Sequence, residues 1–184
     1  MKHVVVEGPD GSGKTNLVNE LLSRLGIPQH PRFVKSTGGP PADLDIRMMQ
    51  DFNSPLYQRH AHLYDRHPII SEPIYGPIVR GGSDGMFKIG SWVQQYRDRL
   101  SSIAVVVFCI PPLKEVKNNV GNPDVEQMTG VAASINELYA AYHALAHRWP
   151  GALIHDYTYN TPGSTMRDLL IRRIRLLMNE RTHV

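Results

Sequence analysis

Several features that would fix the class of this chain at once are scarce, and each shortage excludes something. One cysteine among 184 residues rules out an internal disulfide. That residue, Cys109, sits in the apolar run "IAVVVFCI", where a buried structural thiol is expected. No apolar run approaches the ~20 residues that a helix needs to cross a bilayer. The opening "MKHVVVEG" places only three valines before an acidic residue, short of the apolar stretch of about 7–15 residues in a secretory signal. A cytosolic protein with no membrane partner is therefore expected. Neither charge sign dominates: 20 Lys+Arg against 17 Asp+Glu leave a formal charge of +3, a mild excess that suits polyanions such as nucleotides or DNA. His143 and His147 have a helical spacing that can hold zinc, but no H-E-x-x-H glutamate and no nearby cysteine accompany them. Repeats, low-complexity tracts and interdomain linkers are missing too, so residues 1–184 read as one domain.

What is present alternates. "HVVVEG" (3–8) is a β-branched run closed by glycine, the pattern of a buried strand. From Thr15 to Leu25, Val18, Leu21, Leu22 and Leu25 share one helical face that stops at Gly26. "RFVKS" (32–36) is a second candidate strand, "LDIRMMQDF" (44–52) a short helix, and 87–100 a helix with Trp92, Tyr96 and Leu100 four apart. "IAVVVFCIPP" (103–112) is the clearest strand, apolar throughout, as a strand covered on both faces should be. "LKEVKNNVGNPDVEQ" (113–127) is polar and holds Gly and Pro, so a mobile connection flanked by helix is expected, with 114–127 as a candidate lid. Met128 to Trp149 carries a strong helical period, and "ALIHDYT" (152–158) is a last strand. Residues 164–180 form a closing helix, with Met166, Leu169, Leu170, Ile174, Leu177 and Met178 inward and Arg167, Arg172, Arg173 and Arg175 on a solvated face. Strands alternating with helices imply an α/β fold of three layers around a parallel sheet.

The stretch "GPDGSGKT" from Gly8 to Thr15 fits G-x-x-x-x-G-K-[ST], with an apolar strand before it and an amphipathic helix after it. Gly8, Gly11 and Gly13 let the backbone around Ser12 curl with its N–H groups inward, so that a triphosphate is wrapped by donors and capped by the helix N-terminus. Lys14 reaches the β- and γ-phosphates in such a loop, and the Thr15 hydroxyl ligates Mg²⁺. ATP and Mg²⁺ are the expected cofactors. A carboxylate inside this loop, Asp10, is costly next to phosphates without a cation or metal, which points to a functional role.

"EGPDGSGKT" resembles the "EG-x-D-G-x-G-K-[ST]" of thymidylate kinases and related nucleoside and nucleotide kinases. That resemblance implies that Asp10 faces the acceptor or its Mg²⁺. "YDRHPIISEPIYGPIVR" (64–80) looks like the Asp-Arg signature of the thymidylate-kinase and deoxynucleoside-kinase superfamily, and herpesvirus-type thymidine kinases carry a related "DRHP". Carried over by position, Asp65 would hold Mg²⁺ or take the proton of the attacking hydroxyl. Arg66 would bind phosphoryl oxygens with its planar fork. Ser71-Glu72, Tyr75-Gly76 and Arg80 would shape the acceptor pocket. The residues themselves leave an alternative: if "PIIS" is the strand end, Glu72 becomes the carboxylate at the sheet edge and Asp65-Arg66 a surface pair. The loop after the last strand often lies beside adenine in this superfamily, which would place Tyr157 or Tyr159 there.

Two departures concern the acceptor. Thymidylate kinases carry R-E-P-G-G after the second strand, whereas this chain has "VKSTGGPP" (34–41), with Lys35 as the remaining charge. Their arginine-rich lid is matched here by a segment offering Lys114 and Lys117 but no arginine. The leading expectation is a kinase acting on a hydroxyl of a free pyrimidine deoxynucleoside or deoxynucleotide. The second is a kinase acting on a hydroxymethylated pyrimidine within phage DNA, and the third a P-loop protein that is not a kinase. Related kinases are frequently dimers, so a homodimer is among the states the resemblance allows.

Overall fold

Alternation within each strand decides how this chain layers. In a computed structural model describing residues 2–30, 44–55, 59–81, 91–122, 129–156 and 165–180, four strands form one parallel sheet in the order β2-β1-β3-β4. They are β1 (His3–Glu7), β2 (Leu63–Asp65), β3 (Ala104–Cys109) and β4 (Leu153–His155). Successive side chains point to opposite faces of a sheet. Val5, Tyr64, Ala104, Val106 and Phe108 accordingly pack on one face, and Val4, Val6, Leu63, Val105, Val107 and Cys109 on the other.

The first face is covered by α2 (Leu44–Asn53), α3 (Pro68–Val79), α4 (Ser91–Ile103) and α6 (Val131–Arg148); the second by α1 (Lys14–Leu25) and α7 (Thr165–Asn179). A shorter helix, α5 (Leu113–Val120), packs against α6 through Val116, Val120 and Ile135. Sandwiched this way, β1 and β3 are buried along their whole lengths, which is why β3 and the three central valines of β1 read as apolar runs. The three-layer α/β expectation holds. Among the described residues no helix is long and apolar enough to cross a membrane.

The register pairs Val6 with both Asp65 and Val107, so the C-terminal ends of β1, β2 and β3 lie side by side. Ligand sites in parallel sheets lie at that edge. The strand expected at 32–36 lies outside the described residues; just before it, Gln29 bridges to Leu63 in parallel.

Three readings change. "PIIS" is the start of α3, not a strand end: Pro68 takes the first helical position, where its missing N–H costs nothing, and the side chain of His67 caps the helix by accepting from Ile69 N. Pro73 leaves the carbonyl of Ile69 without its helical donor, and Arg97 Nε donates there instead at 3.3 Å. The polar run at 113–127 is helical as far as Val120, because Val116 and Val120 find a buried face; residues 123–127 of the candidate lid lie outside the described residues. On α7 the inward face is turned from the expected one. Ile171, Ile174 and Met178 are buried with Arg167, whereas Met166 and Leu169 are about half exposed, at 51% and 49%. The buried Arg167 is held by Glu20 of α1 at 2.5 Å, an ion pair that the helical period could not show.

Candidate active site

The phosphate loop joins β1 to α1 and sits over the end of β3. Gly8 has φ +145°, and a Cβ there would lie 2.5 Å from the carbonyl oxygen of Cys109, so only glycine lets the loop pass this close to β3. No side chain caps α1, whose N-terminal turn opens toward the loop. Lys14 is buried and folds back to donate to the carbonyl of Pro9 at 2.6 Å. Burial, with the nearby charge of Arg66, pushes its pKa down to about 8, against the pull of Asp10 and Asp65. Two cations repel each other across a small space here, which is an environment that favours a polyanion. Thr15 is exposed in the first turn of α1, Ser12 is fully buried inside the loop, and Asn119 of α5 donates to the carbonyl of Gly11 at 2.8 Å.

Arg66 follows the last residue of β2. Among the described residues it alone combines a side chain with a positive φ, +69°, a conformation costing about 1–2 kcal/mol. Its amide donates to Val6 O at 3.0 Å, and its guanidinium lies 4.7 Å from the Tyr75 ring centroid. One terminal nitrogen donates to Asp10 at 2.7 Å, the other to the Tyr142 hydroxyl at 3.1 Å. Tyr75 donates to the second oxygen of Asp10 at 2.7 Å. Burial opposes the charge on Asp10, but Arg66 and Lys14 outweigh it and hold its pKa below the ordinary value. For Arg66 burial is outweighed by Tyr75, Tyr142, Asp10 and Glu7, which keep it firmly protonated.

Asp65, part-exposed at the C-terminal end of β2, lies close enough to Lys14 to act on its charge. Glu72 lies on α3 and pairs with Arg80, both largely buried. Ser71 is also buried, and its hydroxyl donates back to the carbonyl of His67 at 3.3 Å. The structure therefore gathers Gly8, Asp10, Lys14, Thr15, Asp65, Arg66 and Tyr75 around one edge of the sheet, with Ser71, Glu72 and Arg80 along the adjoining helix. Lys35, Tyr157 and Tyr159 lie outside the described residues.

Sequence reasoning missed Glu7 and Tyr142. Glu7 is the last residue of β1 and is completely buried, with one oxygen accepting from His67 N at 2.5 Å and the other from the Tyr142 hydroxyl at 3.2 Å. Burial raises its pKa to about 7 in spite of Arg66, the His67 amide and Lys14. A charged residue closing an apolar run was the available signal. Tyr142 gave none, since it sits in the apolar period of α6 like any core aromatic.

No protein-family model matches the chain, and no curated protein does. Solved structures do match in fold. The YorR protein of Bacillus subtilis, solved with phosphorylated GDP, is 15% identical with a TM-score of 0.61, over 97% of this chain and 98% of that one. Deoxyadenosine kinase from M. mycoides is 13% identical in two structures, over 95% of this chain. With bound dATP its TM-score is 0.59, covering 100% of its own chain, and with the products dCMP and dCDP it is 0.62, covering 99%. At such identities the likeness shows the fold alone: this chain has the fold of the P-loop nucleoside kinases.

Proposed function

We propose that the protein is an ATP- and Mg²⁺-dependent kinase that transfers the γ-phosphate to a hydroxyl of a free pyrimidine deoxynucleoside or deoxynucleotide. The observation that carries this reading is the placement of Asp10. A loop built only to grip and hydrolyse a triphosphate needs no carboxylate, yet here one stands beside Lys14, held ionised by Arg66 and Tyr75. Such a group accepts a hydrogen bond from an acceptor sugar. The small nucleotides bound in solved structures of this fold, dATP, dCMP and dCDP in deoxyadenosine kinase, support a free nucleoside or nucleotide acceptor rather than one held in DNA.

The residues fit the cofactors on donor chemistry. The glycine-lined loop would hold the phosphates, with Lys14 on their β- and γ-oxygens. Thr15 and Asp65, an exposed hydroxyl and a part-exposed carboxylate at neighbouring strand and helix ends, would hold Mg²⁺, which would supply neutralisation of the phosphate charge. Arg66 binds oxygens of the group in transfer. Asp65 is the favoured acceptor of the attacking hydroxyl's proton, because it stands at the strand end beside Lys14 whereas Glu72 is paired with Arg80. Tyr75, Ser71, Glu72 and Arg80 bound the acceptor side, and the resemblance alone would add Lys35 as acceptor-side charge and Tyr157 beside adenine. Transfer of this kind depends on positioning and charge neutralisation more than on covalent chemistry.

The absence of arginine from residues 114–127 favours the second reading, a kinase for hydroxymethylated pyrimidines in DNA. One assay separates the two. The protein is incubated with Mg²⁺, γ-labelled ATP and, in turn, nucleosides, nucleoside monophosphates, plain DNA and hydroxymethylated DNA. Label on a free pyrimidine compound is the expected result, label only on modified DNA selects the second reading, and label on none of them overturns both.

A further inference from the structure

We infer that Glu7 and Tyr142 are positioning residues that clamp Arg66 in the site, fixing its backbone turn and the direction of its guanidinium together. The inference deepens the kinase reading and rests on it for the purpose of the clamp.

The geometry is a two-point grip. One oxygen of Glu7 binds the amide of His67, the residue directly after Arg66, at 2.5 Å. The other takes the hydroxyl proton of Tyr142 at 3.2 Å. A phenol has one proton, and because the Arg66 guanidinium can only donate to the hydroxyl, that proton is directed at the Glu7 oxygen. The lone pairs of the same oxygen are then left for Arg66, which donates to it at 3.1 Å. Glu7 thereby receives the Tyr142 proton and leaves the hydroxyl an acceptor toward the guanidinium. The peptide before His67 belongs to a residue at φ +69°, held on its other side by the bond from Arg66 N to Val6 O at 3.0 Å. A sparsely populated backbone conformation persists where its surroundings over-determine it, and here bonds to two consecutive residues of β1 do so.

The arrangement matters for transfer because Arg66 has a second partner. Its other nitrogen is bound to Asp10 at 2.7 Å. When Asp10 turns to an acceptor hydroxyl, that ion pair weakens, and a long side chain released at one end loses its aim. Tyr142 and Glu7 lie on the core side, buried and away from the acceptor, and keep hold. The guanidinium is then free to exchange Asp10 for phosphoryl oxygens without leaving its place. Preorganised charge of this kind acts on the transition state more than on substrate affinity.

The test joins a spectroscopic readout with kinetics. In ¹⁵N-arginine-labelled protein, a guanidinium held at both ends rotates slowly about its Cζ–Nη bonds, so Arg66, assigned by its loss in Arg66→Lys, should give separate η-proton signals. Tyr142→Phe removes one oxygen and should merge them, and Glu7→Gln, which turns an N–H donor toward the phenol, should do the same. In transfer assays both variants should lose about 10- to 100-fold in kcat with KM for ATP within about 3-fold, and neither should add to the loss in Arg66→Lys. Tyr142→Phe keeps the ring but strips one partner from Glu7, so a cooperative melt well above the assay temperature is required of each variant before its loss in kcat is read as a loss of aim and not of folding. Merged Arg66 signals in the unaltered protein, or a kcat for Tyr142→Phe within about 2-fold of it, would overturn the clamp. If the unaltered protein transfers phosphate to no acceptor, the kinase reading falls, while the arginine signals still decide whether Glu7 and Tyr142 hold Arg66.

Discussion

Substituting alanine for Gly8 should separate a glycine that the site requires from one that merely ends a helix, Gly26. In Gly8→Ala the new Cβ would lie 2.5 Å from the Cys109 carbonyl oxygen and 2.8 Å from Ser12 Oγ. Relief requires a shift of roughly 1 Å in one or the other. Ser12 is fully buried within the loop, and the Cys109 carbonyl ends a central strand paired on both sides, so neither yields easily. Overpacking of this kind costs about 1–3 kcal/mol. Placing alanine in a backbone region at φ +145° adds about 1–3 kcal/mol more. Gly26, at φ +67°, has nothing within 4 Å of its would-be Cβ. Gly26→Ala thus meets only the left-handed penalty of about 1–2 kcal/mol, partly offset by the lower entropy of the unfolded chain. For a domain of this size each kcal/mol moves Tm by about 2–4 °C. Thermal melts should therefore show Gly8→Ala lower by about 5–20 °C and Gly26→Ala by about 2–4 °C. Titration with ATP should show binding lost in the first variant and kept in the second. Equal melting shifts, or a Gly8→Ala protein that binds ATP like its parent, would refute the close approach of loop and strand.

Asp65→Asn should reduce transfer at least ~10²-fold, as expected for a metal ligand or general base, and Glu72→Gln should be the milder change; the reverse order in kcat would move the carboxylate role to α3. Stability should depend on pH through two buried groups of opposite effect. Glu7, raised from 4.5 to about 7, stabilises while protonated and loses that contribution as pH rises toward 7. His67, lowered from 6.5 to about 3 by burial with His30 and His3, stabilises while neutral and loses it as pH falls from 6.5. The two oppose each other between about pH 4.5 and 6.5, so melts of Glu7→Gln across that window should rise with pH more steeply than those of the parent, and parallel profiles would contradict the assignment. Arg97→Ala should destabilise by about 1–2 kcal/mol, since it strips the donor from the buried Ile69 carbonyl. Denaturant titration should find that cost smaller in a Pro73→Ala background, where a helical N–H returns to the same carbonyl.

The layers and the donor side of the site were legible because they are local. β1, the phosphate loop and α1 form one continuous strand-loop-helix motif, and its spacing carries both geometry and chemistry. The first face of α6 and the run of β3 were legible because period and burial agree there. Legibility failed where a residue's environment is made by chain that is distant in sequence. The face of α7 was misjudged because Arg167 finds Glu20 on α1, and an arginine with an ion-pair partner outcompetes the exposed Met166 and Leu169 for the inward position. The helix at 113–120 was hidden in a polar segment because its two buried valines matter only beside α6.

Glu7 shows the same limit most sharply. Its position beside the phosphate loop was in plain view, yet its role depends on depth, and depth arises only when β1 is flanked by β2 and β3 and roofed by α6. The partners that give it meaning, His67 and Tyr142, lie 60 and 135 residues away. A carboxylate at that position on a solvated edge strand would be an ordinary surface charge. Buried between an arginine-bearing turn and a tyrosine, the same group must be hydrogen-bonded on both oxygens to be tolerated, and the bonds that satisfy it are the ones that hold Arg66. The cost of burying the charge and the aim of the guanidinium are therefore not separate matters: the hydrogen bonds that make Glu7 tolerable are those that orient the site.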